Sequence, residues 1–186
     1  MCIRDSIIAH NQMKAQGWSK GDISQVTVEC SDDIYTRHSH NSDPLTPPRN
    51  QIEAQFHVAF LVISSLVNGK FGLEELGKID QDSILALHSS FTWEVSGTYD
   101  DTALVGQLQI CNVSGERLLI DITESSVIQS SSTVGGLVTS KFKSCVEHVI
   151  GTSKQYPIDL LNGLNHIEQV QNCTDITKMI SVVPPV

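Results

Sequence analysis

The chain has 186 residues, 40% of them hydrophobic, with 21 acidic side chains against 12 basic ones and a formal net charge of −9. Such a length and apolar content suffice for one ordinary domain with a real core, or for a domain plus a tail. The acidic balance argues against nucleic acid as a partner, because phosphate binding needs a basic face, yet a few local arginines and lysines can still hold a small carboxylate.

The five cysteines, Cys2, Cys30, Cys111, Cys145 and Cys173, are widely spread and form no Cys-x-x-Cys pair. Neither a zinc knuckle nor a disulfide framework is indicated, and a reducing cytoplasm is the simplest home. No signal peptide and no membrane span is evident in the sequence. The sequons at Asn112 and Asn172 therefore carry no weight.

The opening Met1-Cys2-Ile3-Arg4-Asp5-Ser6 reads as a non-native scar and is set aside. A short helix is expected over residues 7–16. Val26, Val28 and Cys30 then alternate in a strand over 25–30. Residues 31–50 read as a polar, proline-containing loop. Within it, His38, His40 and Asp43 have the look of a zinc site, because alternate residues of an extended segment point the same way. Only three candidate ligands lie there, so the plain loop reading is preferred and no metal is expected.

The apolar run that follows has a clear start and stop. Pro47 and Pro48 forbid helix just upstream, Asn50 can cap, Glu53 can reach back to the Asn50 backbone as in a capping box, and Gly69 supplies the end. One buried core helix is expected between them. A helical turn at 73–76 and a second helix from Asp80 to about residue 90 come next, followed by a strand over 91–96 that carries Trp93, with Tyr99 beside it, both read as packing residues.

Residues 103–111 and 117–122 make the best hairpin in the chain. Leu104, Leu108 and Ile110 share one face, Leu118, Ile120 and Ile122 share another, and Ser114-Gly115 makes the turn. A serine-rich connection over 125–136 lacks the pattern of a nucleophile elbow, and its Gly135-Gly136 is a weak anion nest. Amphipathic helices are then expected around Phe142 to Val149, around Ile158 to Ile167, and after Thr174. The fold class that follows is α+β, a small, mostly antiparallel sheet packed with helices, with further helices at the C-terminal end.

Pro48, Glu53, Ala54, Gln55, Phe56 and Gly69 fit a signature that runs Pro-x-x-x-x-(Glu/Asp)-Ala-(Lys/Gln/Arg)-Phe-Ser-x-x-Tyr and ends in Asp-Gly. Gly17-Trp18-Ser19 with Asp22-Ile23 upstream, and Lys141-Phe142 downstream, fit the same pattern. On these residues the chain resembles the MmgE/PrpD family, the 2-methylcitrate dehydratases and cis-aconitate decarboxylases. The resemblance implies that residues 7–134 form the α+β lid-like domain of such an enzyme and that residues 135–186 dock on an N-terminal helical domain not contained in this sequence. It further implies a cofactor-independent lyase acting on a small polycarboxylate, homodimeric at full length, with no nucleic-acid or membrane partner.

Two departures stand out. His57 occupies the place of the family's usual serine, and Phe60 that of the tyrosine that reaches the active site. Phenylalanine cannot donate a proton, so the role is lost or passes to His57, whose imidazole has an ordinary pKa near roughly 6.5 and can act as acid or base. His57 can equally be a hydrogen-bonded structural residue. Arg37 and Arg49 flank the loop and are candidates to clamp a substrate carboxylate, against the plainer reading of solvated arginines. Lys141 is read as structural. A non-catalytic binding or interaction paralogue is the alternative function, and the 186 residues by themselves are expected to be inactive.

Overall fold

The computed structural model describes residues 3–99 and 106–122, together with residues 139, 142–145, 163, 172 and 174. The chain divides into two compact units, Met1–Val127 and Ile128–Val186, and every element named below belongs to the first. Leu104, the serine-rich connection with Gly135-Gly136, Lys141, and most of the C-terminal helices expected from the sequence lie outside the described residues. Residues 142–145 are helical.

Among the described residues, four strands, β1 (Ile23–Cys30), β2 (Phe91–Val95), β3 (Gly106–Asn112) and β4 (Arg117–Ile122), form one sheet in the order β2-β1-β3-β4. The expected hairpin is β3-β4, antiparallel, with Leu108 opposite Ile120 and Ile110 opposite Leu118. Its turn uses Gly115 at φ +83°, a left-handed conformation that costs glycine nothing. Asn112 fixes the turn through its side-chain oxygen, which accepts from the Ser114 and Glu116 amides at 3.0 and 2.9 Å. In β1, Ile23 and Val26 are both buried although three residues apart; a register shift between Ile23 and Gln25 absorbs the odd residue.

The α+β class holds, but the sheet is mixed rather than mostly antiparallel. β1 runs antiparallel to β3 yet parallel to β2, with Val26 aligned with Phe91 and Val28 with Trp93. Strand periodicity carries no direction. Direction here is set by the long helical connection between β1 and β2, which is long enough to return the chain to the same end of the sheet, as a parallel pair requires.

Among the described residues, six helices precede or lie between the strands: α1 (Ile3–Ala15), α2 (Asp32–His38), α3 (Gln51–Phe56), α4 (Val58–Asn68), α5 (Leu73–Leu76) and α6 (Asp82–His88). α4 is the hub, packed against α1 and α6, and its apolar side chains join those of the strands in one core with Phe60, Ile63, Leu66, Phe91 and Ile110. Trp93 does pack, edge-on to Phe91 and to Tyr35 with ring centroids 5.5 and 6.1 Å away.

Three local expectations are corrected. α1 begins at Ile3 rather than at residue 7, with Asp5 and Ser6 buried. The polar loop after β1 contains α2 and a 3-10 turn at Ser39–Asn41, because Ser31 caps a helix by accepting from the Ile34 amide. Finally, the second helix is capped at Gln81 rather than Asp80.

Gly69 ends α4 at φ +67°, and the Cβ of any other residue there would lie 2.6 Å from Nε2 of His10. His10 is fixed because its Nδ1–H donates to the Leu66 carbonyl at 2.6 Å, satisfying one of the carbonyls left open at a helix end. Gly69→Ala is therefore expected to destabilise the unit by about 1–3 kcal/mol, combining the left-handed penalty with loss of that bond. Urea unfolding followed by tryptophan fluorescence checks this. Trp18 and Trp93, the chain's two tryptophans, both pack against this core.

Candidate functional site

The expected single helix over the apolar run is two helices, broken at His57. At φ −94° and ψ 94°, His57 leaves α3 and becomes the N-cap of α4. Its Nδ1 accepts the Phe60 amide at 3.3 Å, and its Nε2–H donates to the Thr46 carbonyl at 3.1 Å. An imidazole that accepts at Nδ1 and donates at Nε2 is the neutral tautomer with both nitrogens engaged. Burial pushes the His57 pKa down, the neighbouring His88 adds to this, and the Thr46 carbonyl opposes it.

α3 starts where the sequence indicates. Asn50 caps it, its side-chain oxygen accepting from the Glu53 amide at 2.9 Å. The return arm differs from a capping box: Glu53 accepts from the backbone of Arg49 (2.9 Å) rather than from that of Asn50, and also from the Arg49 guanidinium (2.7 Å to Nη2). These bonds hold the Glu53 carboxyl down at about 2.

Between α3 and the loop ahead of it lies an open cleft of about 610 Å³. The loop contributes His40, Asp43, Thr46, Pro47 and Pro48; α3 and its flanks contribute Arg49, Ile52, Glu53, Phe56 and His57. Ile52 and Phe56, one turn apart on α3, are 72% and 65% exposed, an apolar strip beside a guanidinium. Leu45 on the loop is 80% exposed. Asp43 spends its carboxylate on its own turn, accepting from the Leu45 amide (2.9 Å) and the Thr46 hydroxyl (2.7 Å), and these bonds lower its pKa.

Of the residues singled out from the sequence, His57 and Arg49 come together in this cleft. Arg37 does not: it lies on α2, mostly exposed, and pairs one turn back with Asp33 at 2.8 Å. Phe60 points the other way, fully buried in the core and edge-on to Phe71 with ring centroids 6.4 Å apart. The extended zinc-like segment does not exist as such, since His38 closes α2 and His40 sits in a 3-10 turn. Among the described residues, no cluster of three or more histidine, cysteine or acidic side chains is arranged to hold a metal ion. Cys30 is an unpromising nucleophile: burial pushes its thiol up to about 11, with Glu29 and Asp32 adding to the effect.

One residue was missed in the sequence. His88, at the end of α6, is 1% exposed, and its ring centroid lies 5.0 Å from that of His57. Its Nδ1–H donates to the Pro44 carbonyl at 2.6 Å, while Nε2 is buried without a hydrogen-bond partner. The only sequence signal is a polar residue directly after Leu87 on the buried side of an amphipathic helix.

No helix among the described residues is long and apolar enough to cross a membrane. No protein-family model matches the chain, and no curated protein matches it significantly.

Proposed function

We propose that this chain is the carboxylate-binding, lid-like portion of a cofactor-independent lyase for a small polycarboxylate, as its resemblance to the MmgE/PrpD family implies. The observation that carries the reading is the cleft itself: the segment with the family signature, from Pro48 through His57, lines it and exposes Arg49 there. The Arg49–Glu53 pair is solvent-exposed, so an incoming carboxylate can take over the guanidinium's donors without uncovering a buried charge. Elimination next to a carboxylate needs a base, and in this reading the base belongs to the helical domain implied by the resemblance. The chain supplies closure and charge. A full-length homodimer and a cytoplasmic setting belong to the same proposal.

A second reading, a non-catalytic binding paralogue, is favoured by one observation. Phe60 faces the core and His57 has both nitrogens engaged, so neither offers a proton to the cleft. Citrate and cis-aconitate titrations watched by amide NMR test what both readings share. Saturable shifts confined to residues 40–57 are expected at millimolar concentration, with Arg49→Gln weakening binding at least about tenfold, the effect of one lost charge-assisted contact. Shifts that scale only with ionic strength, or that survive in Arg49→Gln, would sink the proposal. Activity towards these acids in a longer chain containing this one, followed by ultraviolet absorbance of the conjugated double bond, separates enzyme from paralogue.

A further inference from the structure

The loop over residues 42–48, which contributes Asp43, Thr46, Pro47 and Pro48 to the cleft, is held to the helices behind it by few bonds. Two are imidazole N–H groups on backbone carbonyls, His57 on Thr46 and His88 on Pro44. A third runs from the Val58 amide to the Ser42 hydroxyl at 2.8 Å. The two rings are buried, lie with centroids 5.0 Å apart and planes tilted by 55°, and are bonded as neutral tautomers. We propose that the His57–His88 pair is a proton-operated latch that keeps the cleft loop closed when both rings are neutral and releases it when His88 is protonated at Nε2.

The geometry makes His88 the proton acceptor. Its Nδ1 already carries a proton, and its Nε2 lone pair is unused, so protonation breaks no existing bond. At His57 a second proton must displace the Phe60 amide from Nδ1 and with it the N-cap of α4. Once on His88, the added charge has no acceptor at Nε2 and stands against a second imidazole in a buried site. A buried cation without a partner is relieved most directly by admitting water, and the element nearest the surface is the loop.

The ionisable groups around the pair are few. Asp43 on the loop faces both rings and opposes release by favouring the cation, but its oxygens are already bonded to Leu45 and Thr46. His40, Arg49 and Glu53 share the cleft that His57 lines. α4 carries no ionisable side chain, α6 carries only Asp82 besides His88, and β1, which also packs on α6, carries Glu29 and Cys30. Desolvation is the largest influence on both rings and lowers both pKa values, outweighing the carbonyls and Asp43. A lowered histidine pKa means that the unfolded or opened chain binds the proton more readily. Closure is therefore complete above the ordinary value near 6.5 and is lost progressively as pH falls below it.

Histidine ring NMR and amide hydrogen exchange on the full 186-residue chain, from pH 7.5 to 5, test the latch without any ligand, so failure of the carboxylate reading leaves this test unaffected. The expected result at pH 7.5 is an Nδ1–H tautomer at His88 and an Nε2–H tautomer at His57. After correction for intrinsic rates, exchange at Val58 and Phe60 should rise at least tenfold at low pH, in step with titration of His88. His88→Asn keeps a donor for the Pro44 carbonyl but cannot titrate, and should hold the rise below about twofold; His40→Gln should leave it intact. If His88→Asn does not fold, His57→Asn, which keeps the cap and removes the second ring, should shift the transition upward in pH. The latch is overturned by exchange that does not change, that slows as a His88–Asp43 ion pair forms, or that rises equally in His88→Asn.

Discussion

Truncating Phe60 to alanine is expected to lower the stability of the sheet-and-helix unit by about 3–5 kcal/mol, the usual loss for a fully buried aromatic side chain. Phe60 is 0% exposed, sits on the hub helix α4 and packs edge-on against Phe71, so the core around it has little freedom to collapse into the void. Phe60→Tyr, which introduces the residue type found at this place in the signature that the chain resembles, is expected to cost about 1–3 kcal/mol by burying a hydroxyl among apolar neighbours. It should add no affinity for carboxylates, because the ring faces away from the cleft. Urea midpoints from tryptophan fluorescence, combined with citrate titration of the same variants, check both statements. A stable Phe60→Tyr protein that binds a polycarboxylate more tightly than the unsubstituted chain, or that alone turns one over, would place this position in the site.

His57→Ala is expected to cost about 2–3 kcal/mol, from loss of the N-cap of α4 together with loss of the bond to the Thr46 carbonyl. His57→Asn can still accept from the Phe60 amide and should recover about 1 kcal/mol of this, the typical worth of a cap. A residue that acted only as an acid or base would show no such recovery. Equal destabilisation of His57→Ala and His57→Asn in urea would mean that the cap is unimportant and that the ring's packing against His88 accounts for the loss. In either variant, amide exchange across residues 42–48 should increase already at pH 7.5, since one of the two carbonyl anchors of the loop is gone.

These expectations show why the chemistry of the apolar run was harder to read than its structure. Asn50, Gly69 and the proline pair mark its ends through local sterics and short-range hydrogen bonds, and both marks hold. The alternation in β3 and β4, and the Gly115 turn between them, are likewise local: β4 spans the expected 117–122, and Leu108 and Ile110 are buried on β3 as expected. The break at His57 was not legible, because the residues on either side suit a helix equally well. What breaks it is the loop: the Thr46 carbonyl and the Ser42 hydroxyl take the His57 ring and the Val58 amide from outside the helix.

The sequence by itself determined the α+β class, the hairpin, the two ends of the apolar helical run and the acidic net charge, all of which depend on periodicity, capping and composition over a few residues. Tertiary structure alone decided that β2 joins β1 in parallel and that Arg49 and His57 share a cleft from which Phe60 and Arg37 are absent. It also decided that His88 meets His57 across 31 residues of chain, between positions 57 and 88. The reason is common to all of these: direction, facing and the state of a buried ring depend on which distant backbone comes alongside, and no local pattern encodes that neighbour.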